Sequence, residues 1–166
     1  MPYNHIDFLE TTAAKLKDIA HTQEKQRFFV STGVSNLEGL IQRISSAYLP
    51  LIVAEDNSDE RFIDLLDDNI LALPIYTFYV LYAASPGNDT QIMLARRNGK
   101  ITAKKVISRM LKLRHHEDLG LDLVDYNSFR FLGVGPLGDA AHGVMVTFSL
   151  KQQAGIFYNP EDWLDD

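Results

Sequence analysis

Cysteine is absent from this chain of 166 residues, and that absence removes several kinds of chemistry at once. Disulfide bonds, thiolate nucleophiles and cysteine-based zinc sites are all excluded. Long apolar runs are missing too, since none approaches the roughly 18 residues of a membrane-spanning helix. The N-terminal segment, Met1–His5, lacks the basic and apolar regions of a signal peptide, so we expect an intracellular, cytoplasmic protein when it is made.

The composition is that of an ordinary globular domain. Hydrophobic residues make up 46% of the chain and charged residues 23%, which argues against disorder. The length suits one domain over residues 1–166, with a helical segment in residues 1–24 and an acidic, aromatic tail in residues 152–166. The net charge of −6 argues against general nucleic-acid binding, although a local basic surface could still act.

A glycine motif near the C-terminus imitates a cofactor loop. Gly133, Gly135 and Gly138 match the spacing of the dinucleotide fingerprint, which requires a helix to begin at the glycines and hold a pyrophosphate. Pro136 lies inside the motif, and Val144–Leu150 alternates apolar and polar residues as a strand does. The motif therefore predicts the turn of a β-hairpin, and we expect no cofactor.

Hydrophobic periodicity and turn signals predict eight elements in the order α-β-α-β-β-α-β-β. This order favours a single α+β domain with a mostly antiparallel sheet of four to five strands and helices packed on one face. The predicted helices cover residues 7–22, 35–46 (with Ser35 and Glu38 as a capping box) and 89–114. The predicted strands cover residues 28–31, 49–54, 70–84, 129–134 and 144–151.

Two of these elements are predicted to form the centre of the fold. The strand over residues 70–84 is apolar on both faces, so we expect helices on one face and consider a partner for the other. In the long helix, an apolar stripe continues past Gly99. This favours a close backbone approach at Gly99 and Ala103 over a break in the helix. The stripe consists of Ile92, Ala95, Gly99, Ala103, Val106, Met110 and Leu113.

Acidic residues accumulate between the second and third predicted strands, in a segment that we interpret as a loop over residues 55–68. Asp56, Ser58 and Glu60 have the spacing of a calcium loop, but Arg61 stands where that loop needs glycine. One hypothesis is therefore a divalent-metal-dependent nuclease or hydrolase. It would use Glu55, Asp56, Asp59 and Glu60, without the lysine that positions a water in such enzymes.

The long helix holds half of the chain's 16 basic residues, and no acid lies between Asp89 and Glu117. A solvated helix face, a nucleic-acid surface and a protein contact are all compatible with this pattern. The basic residues are Arg96, Arg97, Lys100, Lys104, Lys105, Arg109, Lys112 and Arg114. Their counterparts in a neighbouring copy, in a head-to-tail contact, would be the acidic loop over residues 55–68, with Asp56, Asp59, Glu60 and Asp64, and the acidic tail, with Glu161, Asp162, Asp165 and Asp166.

The C-terminal tail combines aromatic and acidic side chains. Trp163, with Phe157 and Tyr158, either folds back on its own subunit or docks on a partner, because aromatic residues are enriched in interface cores. Trp163 is therefore a candidate partner-binding residue.

Five segments, taken in order, have a combined pattern typical of one family. They are Phe28–Val30, Leu51–Val53, Ile75–Tyr82, Ile107–Met110 and Gly143–Leu150. This order resembles the tail-terminator and tail-completion (head-tail joining) proteins of tailed bacteriophages and prophage-derived particles. The resemblance implies a structural α+β subunit, associated with a virion, that forms a homo-oligomeric ring on the tail tube and docks on the head connector. It implies no catalytic residues and no metal.

The leading hypothesis is thus a non-enzymatic assembly subunit whose partners are itself and phage tail or connector proteins. The metal-dependent hydrolase is the first alternative. A small acidic binding module that masks a basic partner is the second.

Overall fold

The computed structural model describes residues 3–32, 39, 48–56, 59–65, 70–138, 140–156 and 161. Within these ranges two α-helices and seven strands are defined, with two short 3-10 turns after the second helix. The helices are α1 (His5–Lys15) and α2 (Asp89–Leu113). The strands are β1 (Phe28–Ser31), β2 (Leu51–Glu55), β3 (Glu60–Asp64), β4 (Ile70–Ala83), β5 (Val124–Leu137), β6 (Ala141–Leu150) and β7 (Gln152–Gln153).

The sheet is mixed, with the order β1-β2-β4-β6-β5. Only β1 and β2 run parallel among the described pairs, and all other pairs are antiparallel. The long strand β4 pairs with different strands along its two halves. Its second half lies between β2 and β6, whereas its first half pairs with β3 and β7. The predicted α+β class is confirmed, but the predicted count of four to five strands is wrong.

The element order also differs from the prediction at both small strands. β3 lies inside the segment that we interpreted as an acidic loop, and β7 follows β6 within the predicted tail. Both strands are too short to show a clear hydrophobic period in their own sequences. Within the described chain, both pair only with the first half of β4. Of the helix predicted over residues 35–46, only Gly39 is among the described residues, and its conformation is helical.

The first helix ends earlier than the predicted range of residues 7–22. Leu9 and Ala13 lie at helical spacing and are buried, but α1 stops at Lys15 and Leu16 adopts an extended conformation. Ile19 is fully buried in the main core. Burial of this side chain from a turn, rather than from a continuing helix, overrides the helical spacing of the segment.

The long helix and its close approach to the sheet are confirmed. A methyl group added at Gly99 would lie 3.0 Å from the carbonyl oxygen of Val80 and 3.2 Å from the amide nitrogen of Val144. Ala103 beside it is fully buried. The backbone of α2 therefore lies almost directly on β4 and β6, and any larger residue at position 99 would push them apart.

The start of α2 yields a first prediction. The Asn88 side chain accepts a hydrogen bond from the amide of Gln91 at 3.0 Å and caps the helix. Replacing Asn88 with alanine should lower the free energy of unfolding by about 1 kcal/mol, because an N-terminal amide loses its acceptor. Urea denaturation followed by circular dichroism measures this. The exposed mid-helix Asn98→Ala is the control, and an equal loss in both variants would contradict the capping role.

Two apolar clusters lie on opposite faces of the sheet. The larger joins α1 and α2 to the face of β4 that carries Phe78 and Val80, as predicted. The other face is also buried: Leu51, Val53, Tyr79 and Leu81 are each at most 2% exposed in the single chain. These side chains are buried within the single chain, so no partner is needed to cover them.

The glycine motif lies in a hairpin, as predicted, but its position in that hairpin differs. Gly133 and Gly135 belong to β5, which continues to Leu137 before the chain turns at Gly138 and returns as β6. Gly135 has a φ of 112°, a conformation that side chains disfavour. A strand follows the glycines, so no helix N-terminus is available there to hold a pyrophosphate.

Candidate functional site

The basic residues of α2 are distributed around three sides of the helix. On the side next to β5, the Arg96 guanidinium donates to the carbonyl of Gly135 at 3.5 Å. The Lys100 ammonium lies 5.9 Å from the ring centre of Phe131, and the Arg114 guanidinium lies 5.2 Å from that of Tyr126. These cations lie over aromatic rings and backbone carbonyls of β5, contacts that hold the side chains along the edge of the sheet.

On the side next to α1, one cation is paired within the chain. The Lys105 ammonium lies 2.5 Å from Asp18 Oδ2, and the Thr102 hydroxyl donates to the same oxygen at 3.1 Å. The hydrogen bond from Lys105 is the main reason why the pKa of Asp18 is lowered. This intramolecular pair makes Lys105 a poorer candidate for partner binding than the sequence suggested.

The third side of α2 faces solvent. Arg97 and Lys104 are exposed and form no ion pair with any residue in the described ranges. Leu94, Ile101 and Leu111 are exposed on the same side, between and beyond these cations. We call Leu94, Arg97, Ile101 and Lys104 the outer stripe of α2. It combines apolar and cationic side chains on one surface.

The acidic residues predicted as one loop belong to different elements. Glu55 ends β2, where its carboxylate accepts a hydrogen bond from the Tyr79 hydroxyl at 2.8 Å, and Asp56 follows it. Glu60 and Asp64 are the two ends of β3, and Asp59 precedes that strand. The loop interpretation is therefore wrong for residues 60–64. Alternation places Glu60, Phe62 and Asp64 on one face of β3, and all three are exposed.

This arrangement does not assemble the proposed metal site. No group of three or more histidine, aspartate or glutamate residues in the described part of the chain is placed to hold a metal ion. Glu60 lies in a strand and not in a 12-residue calcium loop, and the Glu55 carboxylate is held by Tyr79. Ser58, Asp67 and Asp68, the remaining members of that segment, lie outside the described residues.

A cleft of about 700 Å³ opens where α1 begins, beside the end of β2 and the last turns of α2. Four of its residues carry carboxylates, Asp7, Glu55, Asp56 and Asp118, against one arginine, Arg109. The Nε atom of Arg109 is buried and has no hydrogen-bond partner among the described residues. Arg109 is thus turned away from the outer stripe, and the cleft itself is predominantly acidic.

A buried histidine forms one wall of this cleft. His5 Nε2 lies 2.8 Å from the carbonyl oxygen of Thr77, and Nδ1 lies 3.1 Å from the Tyr3 hydroxyl. Because a carbonyl only accepts, the neutral ring carries its proton on Nε2 and accepts from Tyr3 at Nδ1. Burial lowers the pKa of His5 to about 4, so the ring is neutral at pH 7.

Sequence reasoning missed this cleft because its walls come from distant segments. Tyr3, Tyr76 and Asp118 carry no common spacing in the sequence, and only the packing of α1 against the sheet joins them. The one residue whose local sequence could have indicated the cleft was His5, a histidine beside the apolar positions of α1. Trp163, Phe157 and Tyr158, which we predicted as partner-binding or docking residues, lie outside the described ranges.

No protein-family model matches this sequence, and no curated protein has significant similarity to it. Neither helix in the described ranges combines the length and the apolar character that crossing a bilayer requires.

Proposed function

We propose that this chain is a non-enzymatic structural subunit of a phage or prophage tail or neck, which self-associates into a ring and docks on tail or head proteins. The outer stripe of α2 is the observation that carries the proposal. A merely solvated helix face is polar throughout, whereas this face exposes Leu94 and Ile101 beside Arg97 and Lys104. Apolar groups framed by charges, here two cations that form no ion pair with a described residue, are typical of a surface that binds another protein.

The separation of charge favours contacts between unlike surfaces. Exposed cations concentrate on α2, while one group of exposed acids, Asp56, Asp59, Glu60 and Asp64, lies on β3, just before it and just after β2, and other exposed acids lie elsewhere. A contact between two different patches is heterologous, and repeated contacts of this kind close into rings when the rotation permits. The phage or prophage setting is supported by the resemblance of the five segments, four of which form β1, β2, β4 and β6, while Ile107–Met110 lies in α2.

We expect self-association that depends on salt. At about 50 mM salt, exposed charges interact over more than 10 Å, and at about 1 M this range falls to roughly 3 Å. The chain should therefore form oligomers at low salt and dissociate as salt rises. Light scattering coupled to size-exclusion chromatography measures this, with circular dichroism at each salt concentration to show that the fold is retained. A strict monomer at low salt and high protein concentration would refute the proposed function.

A further inference from the structure

The strand β3 presents an unusual exposed face. Glu60 and Asp64 lie on either side of Phe62, whose side chain is 51% exposed. Among the described strands β3 pairs only with β4, so it forms an edge of the sheet. Four residues of strand place Glu60 and Asp64 about 13 Å apart. This face of β3 therefore presents an acidic side chain, an aromatic ring and a second acidic side chain in a line.

The outer stripe of α2 has the complementary order. Arg97 and Lys104 are seven residues apart, which is about 10 Å along the helix and within about 20° around it. Ile101 lies between them and is 46% exposed. The outer stripe therefore presents a basic side chain, an aliphatic side chain and a second basic side chain in a line. Its charge order matches the face of β3, and the spacings of about 10 Å and about 13 Å differ by an amount that the long arginine and lysine side chains can span.

We infer that β3 of one copy docks along the outer stripe of α2 in the next copy. Phe62 packs on Ile101, and the two acids of β3 lie opposite Arg97 and Lys104. Phe62 and Ile101 are both exposed in the single chain and are therefore accessible to a second copy. Burial of the two apolar side chains supplies affinity, while the charges fix the register and exclude β3–β3 and α2–α2 contacts. The inference rests on the proposed self-association and names its interface.

Charge reversal tests this interface. The double variant Arg97→Glu/Lys104→Glu and the double variant Glu60→Lys/Asp64→Lys should each be monomeric under conditions where the wild type assembles. Mixing the two variants should restore assembly, because each then supplies the surface that its neighbour needs. A single chain with all four substitutions should also assemble. Circular dichroism of each variant checks its fold, and the restored assemblies show that the substituted chains remain native.

Cross-linking locates the contact directly. Because the chain has no cysteine, every disulfide in a mixture of Phe62→Cys and Ile101→Cys joins two introduced thiols, and oxidation of each variant alone measures the pairs of like thiols. We expect the mixture to give much more covalent dimer than either variant alone. The matched control mixes Phe62→Cys with Val30→Cys, whose native side chain is 41% exposed on β1, and should give no more covalent dimer than its components do separately.

The outcomes separate this inference from the proposed function. A wild type that assembles together with charge-reversed variants that assemble equally well would place the interface elsewhere, and would leave the ring-forming function intact. A monomeric wild type at every salt concentration would overturn both. A monomeric wild type that binds another acidic protein through Arg97 and Lys104 would show that the occupant of the stripe is not a second copy.

Discussion

Replacing Gly143 with alanine should lower the free energy of unfolding by about 3 kcal/mol or more, and this variant should be the least stable of those considered. The added methyl carbon would lie only 1.9 Å from the carbonyl oxygen of Val80 and 3.0 Å from the Cα atom of Leu81. These atoms belong to the backbone of β4, which cannot rotate away as a side chain would. β6 also lies between β4 and β5 and under α2, so relief in any direction disturbs another contact.

Urea denaturation of Gly143→Ala against the wild type measures this effect. Gly133→Ala is the matched control, because a methyl group there would lie no closer than 3.4 Å to the flexible side chain of Arg96. We expect this control to change stability by less than about 1 kcal/mol, as ordinary surface substitutions do. Equal losses in the two variants would mean that glycine in these strands matters for some reason other than the close approach of β4 and β6.

Acidification should destabilise the protein through His5, by about 3 kcal/mol between pH 6.5 and pH 4. Burial lowers the pKa of His5 from 6.5 to about 4, and the Thr77 carbonyl and the Asp56 carboxylate offset only part of that shift. The unfolded chain therefore takes up a proton at a higher pH than the folded chain does. The neutral His5 ring makes its full contribution to the free energy of unfolding above pH 6.5, and this contribution is lost as the pH falls towards 4.

The comparison with His5→Gln isolates this effect, because glutamine does not titrate. Stability measured from pH 7 to pH 4 should fall by about 3 kcal/mol more in the wild type than in the variant, whatever their difference at pH 7. Burial and the charge of Arg96 also lower the pKa of His142, which acts in the same direction but is common to both proteins. Parallel curves would show that His5 does not control the acid response.

These two predictions start from features that differ in how visible they are in the sequence. The apolar stripe of α2 and the two-sided strand β4 were predicted almost to the residue. The helix has a sustained period that a strand does not satisfy, and β4 is an apolar run rich in aromatic residues that ends at a clear turn. The rejection of a dinucleotide loop also came from local signals, Pro136 and the alternation after it. The close approach at Gly99 was visible as a glycine within an unbroken stripe.

The strand β3 shows why other features were not visible. Three of its five residues are charged, Glu60, Arg61 and Asp64, and Asp59 precedes them, so the segment has the composition of a loop. It becomes a strand because β4 extends beyond β2 and leaves Ile70–Pro74 free to pair. This pairing is a property of the neighbour and leaves no periodic signal in β3 itself.

The sequence by itself determined the elements with long periods, the α+β class and the concentration of positive charge on one helix, because each depends on neighbours within a few turns of chain. The tertiary structure alone decided which of those charges remain exposed. Packing turned Arg109 into the cleft and Lys105 onto Asp18, and it left Arg97 and Lys104 beside Ile101 on the surface. Local spacing decides which side chains share one face of a helix. Which segment packs on that face depends on residues far away in the chain.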